Sequence, residues 1–434
     1  MIITGIHSIV ELRAAQNLTK NNVFSYASSC YLLSRTGHAE GTKLFCIFHF
    51  PFSIFHFPFS IFLCYARTMQ KQLIMLGIIV AISATINTFV MQRQVAPFAL
   101  PKPQTVITTN PKAAVHTRLT GVGDEAFIAR QLDLVAAMGT PWIVELFPWA
   151  YAQPRSQYGY DWRGFDMVID HAHARGITVI ARLDIVPAWA RPTNSSDRFL
   201  APHMYAAYRD YVVAFAQRYH QRGVTHIIIW NEPNLQFEWG GRSPDPEAYA
   251  QLLATVYPAV KQATPAVTII AGALSPGATL GDNAEVRLGD REYTTRFLAA
   301  GGGQFIDAWG VHAYGGQLPP NDPPQWDVVN LRRVELIHQL LISYVNKPIY
   351  ITEAGWNDAP RWQLAVTPAQ RIRWSIAAYQ QAQQWPWLTV FTLWQFGLPS
   401  PTHTYQDGWL LIAGDGTPRA IYDELAHALT QTPP

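Results

Sequence analysis

The sequence predicts a single (β/α)8 barrel that follows a hydrophobic segment near the N-terminus. From about residue 112 onward, eight short apolar runs alternate with segments of helical period, and predicted helices end on Gly139, Gly176 and Gly223. Strands that alternate with helices indicate parallel βαβ units, and eight such units close into a barrel. A doubly wound open sheet is the alternative. No Gly-rich phosphate loop follows the first strand, and the count of eight favours the barrel.

The individual elements follow from the periodicity. The predicted strands are the apolar runs 114–119, 142–147, 177–183, 226–231, 267–273, 306–312, 348–352 and 388–395. The clearest predicted helices span 124–138, 162–174, 203–222, 246–263, 327–345 and 419–430. No second domain is visible after the last strand. We therefore expect one catalytic domain over residues 112–434.

The first part of the chain differs in composition from the barrel region. Residues 1–68 contain a seven-residue repeat in tandem, 47–53 and 54–60, and we expect this low-complexity extension not to fold. Residues 69–91 read as a signal peptide or signal anchor, because Lys71 precedes an apolar core. Residues 92–111 read as a Pro-rich linker. The sequence thus predicts an extracytoplasmic protein that is either secreted or membrane-anchored. In the second case residues 72–91 are the anchor.

The composition of the chain disfavours some classes of binding partner and cofactor. The formal net charge is +2 and no cluster of Lys and Arg is present, so a nucleic-acid partner has no electrostatic support. All three Cys precede Met69, so neither a Cys-ligated metal nor a thiol nucleophile is expected in the barrel. We expect no metal and no cofactor. The 15 Trp are enough to build a large core and to line a groove.

Two predicted strands end on a glutamate. Asn231 and Glu232 end the fourth strand, and Glu353 ends the seventh. The chain between them corresponds to three βα units of about 40 residues each, and the carboxyl ends of barrel strands converge on one mouth. Two carboxylates across one mouth suit glycoside hydrolysis, in which one protonates the leaving oxygen and the other attacks the anomeric carbon. The sequence therefore predicts that Glu232 and Glu353 act as a pair.

Four motifs on strands four, six, seven and eight resemble those of the clan A glycoside hydrolases, most closely families 39 and 5. They are Trp230-Asn-Glu-Pro233, His312-Ala-Tyr314, Thr352-Glu-Ala-Gly-Trp356 and Leu393-Trp-Gln395. The resemblance implies a retaining mechanism with Glu232 as acid/base and Glu353 as nucleophile. It also implies that Asn231 binds the sugar 2-hydroxyl, that Tyr314 donates to the nucleophile with His312 beside it, and that Trp394 forms the floor under the sugar.

One position departs from the family pattern. These families often carry an Arg near the end of strand two that holds the nucleophile, and here Glu145 lies in that strand instead. Arg182 on strand three or Arg118 on strand one is expected to take the role. Arg182 is also the expected cation partner of Glu145. Arg182 and Asp184 are candidate site residues, with a purely structural ion pair as the alternative.

Several Trp residues near the strand ends are candidates for stacking on a sugar. Trp356 follows Glu353 closely and Trp394 ends strand eight. Trp149 and Trp189 follow strands two and three, and for these two a place in the core is an equally good interpretation.

The function expected from the glutamate pair and the resemblance is that of a retaining glycosidase acting on O-glycosidic bonds of a glycoside, oligosaccharide or polysaccharide, and the resemblance implies that these bonds are β-linked. A non-catalytic carbohydrate-binding barrel at the cell surface is one alternative, although binding alone does not require the glutamate pair. A transglycosylase that uses the same residues is the other, and it differs only in whether a sugar or water is the acceptor.

Overall fold

The computed structural model describes residues 72–78, 81, 102–156, 159–279 and 284–431. The chain divides into two units, Met1–Gln94 and Val95–Pro434. In the first unit, residues 72–78 are helical and their side chains are exposed. The other residues of the predicted extension and export segment, and the linker as far as residue 101, lie outside the described residues, apart from Ala81. Among the helices in the described ranges, none has the length and apolar character needed to cross a membrane.

The second unit contains a closed barrel of eight parallel strands in the order β1 to β8. The strands are β1 Ala113–His116, β2 Trp142–Leu146, β3 Thr178–Leu183, β4 Val224–Ile229, β5 Thr268–Leu274, β6 Ala308–Tyr314, β7 Ile349–Gly355 and β8 Leu388–Leu393. Each pairs in parallel with its two neighbours, and β1 closes onto β8. The prediction of a single eight-stranded (β/α)8 barrel is confirmed.

A helix follows every strand. The helices are α1 Glu125–Ala137, α2 Arg163–His173, α3 Tyr205–Tyr219, α4 Pro246–Ala263, α5 Asp290–Ala299, α6 Arg333–Ile342, α7 Pro368–Gln384 and α8 Ala420–Thr430. Helix α6 is shorter than the predicted 327–345, because Asn330 Oδ1 accepts a hydrogen bond from Arg333 N at 2.9 Å and holds the preceding residues in a turn. One-turn helical segments such as Trp149–Ala152 lie in the loops.

Helix starts follow the usual capping chemistry. Asp245 accepts from the backbone N–H of Ala248 at the start of α4, where Pro246 occupies the first turn. Thr367 and Gln370 form a reciprocal capping box at the start of α7. These caps fix where the long loops at the barrel mouth end.

The interior of the barrel is filled by packed side chains, which are called the plug below. One side chain from each strand contributes to a separate inner cluster, namely Ala114, Val144, Ile180, Ile228, Ile270, Ala308, Tyr350 and Val390. Burying an aliphatic side chain such as Ile is worth about 1.5–3 kcal/mol, so the plug contributes substantially to the free energy of folding. Because the interior is filled, the open space of the barrel lies at the strand ends.

Candidate active site

The strand geometry brings the two predicted glutamates to one mouth. Strand β4 ends at Ile229, earlier than predicted, because Trp230 takes a φ of 73° and turns the chain out of the extended conformation. Glu232, with a φ of 37°, lies beyond this turn. Glu353 remains within β7, where it pairs in register with His312 of β6. The turn after β4 therefore directs Glu232 towards the residues at the ends of β6 and β7.

A cavity of about 350 Å³ opens at this mouth. It is lined by charged, amide and aromatic side chains: Arg118, Arg182, Arg198, Asn231, Glu232, Glu238, Tyr314, Glu353, Trp362, Trp394, Tyr405, Gln406 and Trp409. Of the eleven predicted site residues, Glu232, Glu353, Asn231, Tyr314, Trp394 and Arg182 line it directly. Aromatic faces combined with convergent polar and charged groups in one recess are typical of a small-molecule binding site.

His312 links the two carboxylates. Its Nδ1 lies 2.7 Å from Oε1 of Glu232 and 3.6 Å from Oε2 of Glu353. Burial lowers the pKa of His312, but the negative charges of Glu353 and Glu232 outweigh it, so that the pKa is raised above its ordinary value. His312 is thus held between the two acids, behind the cavity surface.

The carboxylate of Glu353 is held at both oxygens. Tyr314 donates its hydroxyl to Oε2 at 2.6 Å, and Arg182 Nη1 donates to Oε1 at 3.2 Å. Burial, followed by the charge of Glu353, raises the pKa of Tyr314 well above its ordinary value, so the phenol remains a donor. His116 Nε2 lies 3.8 Å from the same Oε1. These contacts leave the carboxylate one well-defined orientation.

Arg182 connects Glu353 to the neighbouring strands. Its Nη1 also donates to Asn231 Oδ1 at 3.0 Å, and its Nε lies 3.2 Å from Asp184 Oδ2. Asp184 is fully buried behind Arg182 and accepts from Arg198 Nη1 at 2.9 Å. Of the two arginines considered for contact with Glu353, Arg182 makes it. Asp184 does not line the cavity and instead anchors both arginines.

Glu145 does not have the partner expected from the sequence. The hydroxyl of Thr117 donates to Oε2 at 2.6 Å, and the backbone N–H groups of Leu119 and Thr120 donate to Oε1 at 3.0 and 2.8 Å. The predicted pairing of Glu145 with Arg182 is therefore wrong. Three neutral donors from the loop after β1 satisfy the buried carboxylate, so that it needs no ion pair.

Glu238 is a cavity residue that the sequence did not indicate. It lies in the loop after β4, where its Oε2 is 2.7 Å from Arg198 Nη1. Burial raises its pKa to about 7, and the nearby charge of Arg198 only partly opposes this. No local motif marks this position, because the partner arginine comes from the loop after β3.

Three of the predicted Trp residues are not among the cavity-lining side chains. Trp149 is 0% exposed and packs against Trp189 at 5.3 Å between ring centroids. Trp189 is half-buried and donates its indole N–H to Gln153 O. Trp356 is 1% exposed and donates to Leu318 O at 2.8 Å. The structure corrects the expectation of sugar contact for Trp149 and Trp356, since side chains enclosed in the core present no face to a ligand.

The burial of Trp356 depends on Gly315. A Cβ on Gly315 would lie 2.1 Å from two atoms of the Trp356 indole. We expect Gly315→Ala to lower the free energy of unfolding by about 2 kcal/mol, since the indole cannot withdraw without losing its bond to Leu318. Urea denaturation of the full chain measures this. Gly164→Ala is the matched control, because a Cβ there meets no atom within 4 Å. Equal stability of the two variants would contradict this packing.

A wall of aromatic rings, instead, comes from the loops after β7 and β8. The Trp362 ring stacks on Tyr405 at 5.4 Å and packs against Trp409 at 5.5 Å. Tyr405 is 46% exposed. The aromatic residues in the Gly- and Thr-containing segment 402–409 are the signal that could have indicated this wall from the sequence.

One carboxylate ties these two loops together. Asp358, in the loop after β7, pairs with Arg371 of α7 at 3.2 Å and with Arg419 at 3.1 Å. Arg371 in turn donates to the backbone carbonyl of Trp409. The loop after β8 is therefore fastened to the loop after β7 through buried charges.

In the described ranges, no group of three or more His, Cys, Asp or Glu residues could hold a metal ion.

The closed parallel barrel, with its cavity at the carboxyl ends of the strands, has the architecture of the (β/α)8 barrel enzymes, and solved structures with this fold resemble it. A family 39 glycoside hydrolase from Bacteroides cellulosilyticus WH2 superposes with a TM-score of 0.59 and 18% identity, over 76% of this chain and 65% of that one. A monomeric β-xylosidase from Caulobacter crescentus CB15 superposes with a TM-score of 0.55 and 18% sequence identity, and the match covers 74% of this chain and 69% of that one. A GH5_18 protein from Streptomyces cattleya, in complex with Manβ1-4GlcNAc, superposes with a TM-score of 0.56 and 18% sequence identity, and the match covers 74% of this chain and 82% of that one.

These likenesses concern the fold. The chain spans 65% of the length of the first of these proteins. No protein-family model matches the sequence, and no curated protein gives a significant sequence match. The predicted resemblance to families 39 and 5 of clan A is confirmed at the level of the structure.

Proposed function

We propose that this chain is a retaining glycoside hydrolase that cleaves β-linked O-glycosidic bonds, with Glu353 as the nucleophile and Glu232 as the acid/base. The observation that carries the proposal is the pair of carboxylates within 4 Å of one nitrogen, His312 Nδ1, at the mouth of the barrel. The non-catalytic alternative is not favoured. A surface that only binds sugars gains nothing from holding one carboxylate with two donors beside a second acid.

The spacing of the pair favours retention. Because one nitrogen lies 2.7 Å from Oε1 of Glu232 and 3.6 Å from Oε2 of Glu353, these two oxygens are at most about 6.3 Å apart. Retaining enzymes place their carboxyl groups about 5–5.5 Å apart, whereas inverting enzymes need about 6.5–9.5 Å to admit a water molecule. The closeness of these two oxygens is compatible with the retaining arrangement.

The reaction follows in two displacements. Glu353 attacks the anomeric carbon while Glu232 gives its proton to the leaving oxygen, so that the glycosidic bond breaks and a glycosyl ester forms on Glu353. Glu232, now a carboxylate, removes a proton from water, which attacks the same carbon and releases Glu353. Both substitutions invert the carbon, and the product keeps the β configuration.

The residues around the two glutamates orient the catalytic groups and bind the sugar. Tyr314 and Arg182 orient Glu353 and balance its charge before attack. Arg182 also holds Asn231 Oδ1, and we assign the amide donor of Asn231 to the sugar 2-hydroxyl, where a hydrogen bond strengthens as the ring becomes cationic. His312 positions Glu232 through its 2.7 Å contact.

The β preference rests on the structural neighbours. One is described as a β-xylosidase, and another was determined with a β1-4-linked disaccharide. The hydrophobic segment 69–91 supports placing the enzyme outside the cytoplasm, either secreted or anchored through residues 72–91, where glycoside substrates are met.

Product stereochemistry tests the proposal. The full chain is incubated with a panel of 4-nitrophenyl β-glycosides, and proton NMR follows the anomeric signal of the first sugar released. We expect the β-anomer first, with the α-anomer growing only by mutarotation. An α-anomer at the outset would contradict the retaining mechanism. Glu353→Gln, which keeps the side-chain shape, is the matched control and should release no sugar above background.

A further inference from the structure

A row of alternating charges connects the carboxylate of Glu353 to that of Glu238. The members of this charge row are Glu353, Arg182, Asp184, Arg198 and Glu238. Arg182 Nη1 lies 3.2 Å from Glu353 Oε1, and Arg182 Nε lies 3.2 Å from Asp184 Oδ2. Arg198 Nη1 lies 2.9 Å from that same Asp184 oxygen and 2.7 Å from Glu238 Oε2. The charge row therefore joins the loops after β3 and β4 to the carboxylate of β7.

Two contacts in the charge row depend on charge more than on directed hydrogen bonds. Within the described part of the chain, Arg182 Nε and Glu238 Oε2 are buried and have no hydrogen-bond partner, although each lies within ion-pair distance of an opposite charge. An ionic contact of this kind is lost when either group becomes neutral, and little solvent screens it in a buried site. The protonation of Glu238 therefore changes the charge balance of the row.

Asp184 is shared by the two arginines. Arg182 and Arg198 both contact its Oδ2. While Glu238 is ionised, it supplies Arg198 with a second buried counter-charge, so that Asp184 remains available to Arg182. Asp197, whose Oδ1 lies 3.9 Å from Arg198 Nε, is exposed and screened by solvent. When Glu238 is neutral, Asp184 has to compensate both guanidinium groups, and Arg182 pairs more strongly with the nucleophile.

Formation of the ester on Glu353 removes one negative charge from the row. With Glu238 ionised, two arginines then face two carboxylates and the buried charges balance. With Glu238 neutral, one buried positive charge is left without a counter-charge, which is costly. We propose that Glu238 is a positioning residue for Glu353 and acts on it through Arg198, Asp184 and Arg182. The inference rests on the proposed function and adds to it a residue that does not touch the reacting atoms.

The charges around Glu238 place its ionisation near neutral pH. Burial raises its pKa to about 7, the positive charges of Arg198 and Arg182 oppose the rise, and the negative charges of Asp184 and Glu232 add to it. Glu238 is therefore mostly protonated at about pH 5.5 and mostly ionised at about pH 8.5. The ionised form is the one that balances the charge row, so its contribution to the rate is expected at the higher pH.

The pH dependence of a matched variant tests the inference on the full chain. Glu238→Gln imitates the protonated form at every pH. The substrate is the 2,4-dinitrophenyl β-glycoside of a sugar that the wild type accepts, which needs no proton from Glu232, so that kcat/KM reports the attack by Glu353. We expect equal kcat/KM at about pH 5.5 and an advantage of about fivefold or more for the wild type at about pH 8.5. A bond to a charged group is worth roughly 10- to 100-fold, and part of this should reach Glu353.

Further variants separate positioning from a structural role. Glu238→Asp keeps the charge and should recover part of the rate at the higher pH. In an Arg198→Gln background, Glu238→Gln should cause no additional loss, because the charge row is already interrupted. Glu247→Gln is the control, since Glu247 pairs with Arg296 and does not line the cavity. The ratio of kcat/KM between wild type and this control should be constant with pH.

NMR of the full chain labelled with [15N]arginine reads the charge row without turnover. The Nε signal of Arg182 is assigned by its loss in Arg182→Lys and followed as a function of pH. In the wild type we expect it to shift with a midpoint near the pKa of Glu238, about 7. In Glu238→Gln this shift should be absent.

The outcomes separate this inference from the proposed function. A rate ratio between wild type and Glu238→Gln that is constant with pH, or an Arg182 signal that titrates equally in both, overturns the inference and leaves the hydrolase standing. If no glycoside is turned over, the NMR titration decides alone. An Arg182 shift that Glu238→Gln removes then upholds the coupling of Glu238 to the partner of Glu353 and contradicts hydrolysis. Absence of the shift in the wild type overturns both.

Discussion

Replacing Glu353 by alanine is expected to reduce kcat about 10⁴-fold or more on every β-glycoside that the enzyme accepts, because no covalent intermediate can form without the nucleophile. A loss of that size corresponds to about 5.5 kcal/mol of transition-state stabilisation. Tyr314 and Arg182 remain in place and cannot substitute, since both are donors directed at the missing carboxylate. Steady-state kinetics with an activated aryl glycoside measure the loss.

An azide rescue experiment tests whether Glu353 is the nucleophile, which a loss of activity alone does not show. In Glu353→Ala, azide fits the space left by the side chain and attacks the anomeric carbon from that face, so the expected product is the α-glycosyl azide. Formation of this product, read by NMR, assigns the nucleophile to Glu353. Residual activity within tenfold of the wild type would show that another residue attacks.

Replacing Glu232 by alanine is expected to have an effect that grows with the basicity of the leaving group. General acid catalysis contributes about 10²–10⁴-fold, and this is lost in full for a sugar or an unsubstituted phenol. A dinitrophenolate leaves without a proton, so the first step with that substrate should be slowed far less. Rate constants across a series of substituted aryl glycosides, plotted against the pKa of the phenol, should fall more steeply for the variant.

The third carboxylate of the barrel provides the matched control. Glu145 is buried one strand away from Arg182 and bonded to Thr117, and it does not line the cavity. Glu145→Gln should show the same dependence on the leaving group as the wild type. In Glu232→Ala, azide should attack the intermediate on Glu353 and give the β-glycosyl azide. A leaving-group dependence that appears in the Glu145 variant, and not in the Glu232 variant, would reassign the acid.

The parts of the site that could be predicted from the sequence are those attached to strands. Apolar runs locate the strands, and the ends of parallel barrel strands converge on one mouth, so Glu232 and Glu353 could be placed together without coordinates. Tyr314 was placed beside them by the family resemblance alone. The helix bounds and the ends of several strands differed, since β1 ends at His116, β4 at Ile229 and β7 at Gly355. The positive φ of Trp230 depends on local packing and leaves no trace in periodicity.

The loop residues could not be predicted in the same way. Trp356 and Trp362 are of the same type and lie in the same loop, yet the first packs into the core against Gly315 and the second faces the cavity. The path of the loop decides which ring is exposed, and residue type does not encode that path. For the same reason Glu145 was assigned a cation, although its actual donors are backbone N–H groups of a neighbouring turn.

The fastening of the β7 and β8 loops through Asp358, Arg371 and Arg419 has a consequence for how this enzyme can diversify. The residues assigned to bond cleavage sit on or beside strands β3, β4, β6 and β7, whereas the rings of Trp362, Tyr405 and Trp409 are carried by two loops that share one anchor. Recombination between homologous barrels would exchange these loops successfully only as a pair. A chimera that receives both loops would inherit a new aromatic wall while keeping the parental catalytic residues, and one that receives a single loop would lose the anchor between the loops.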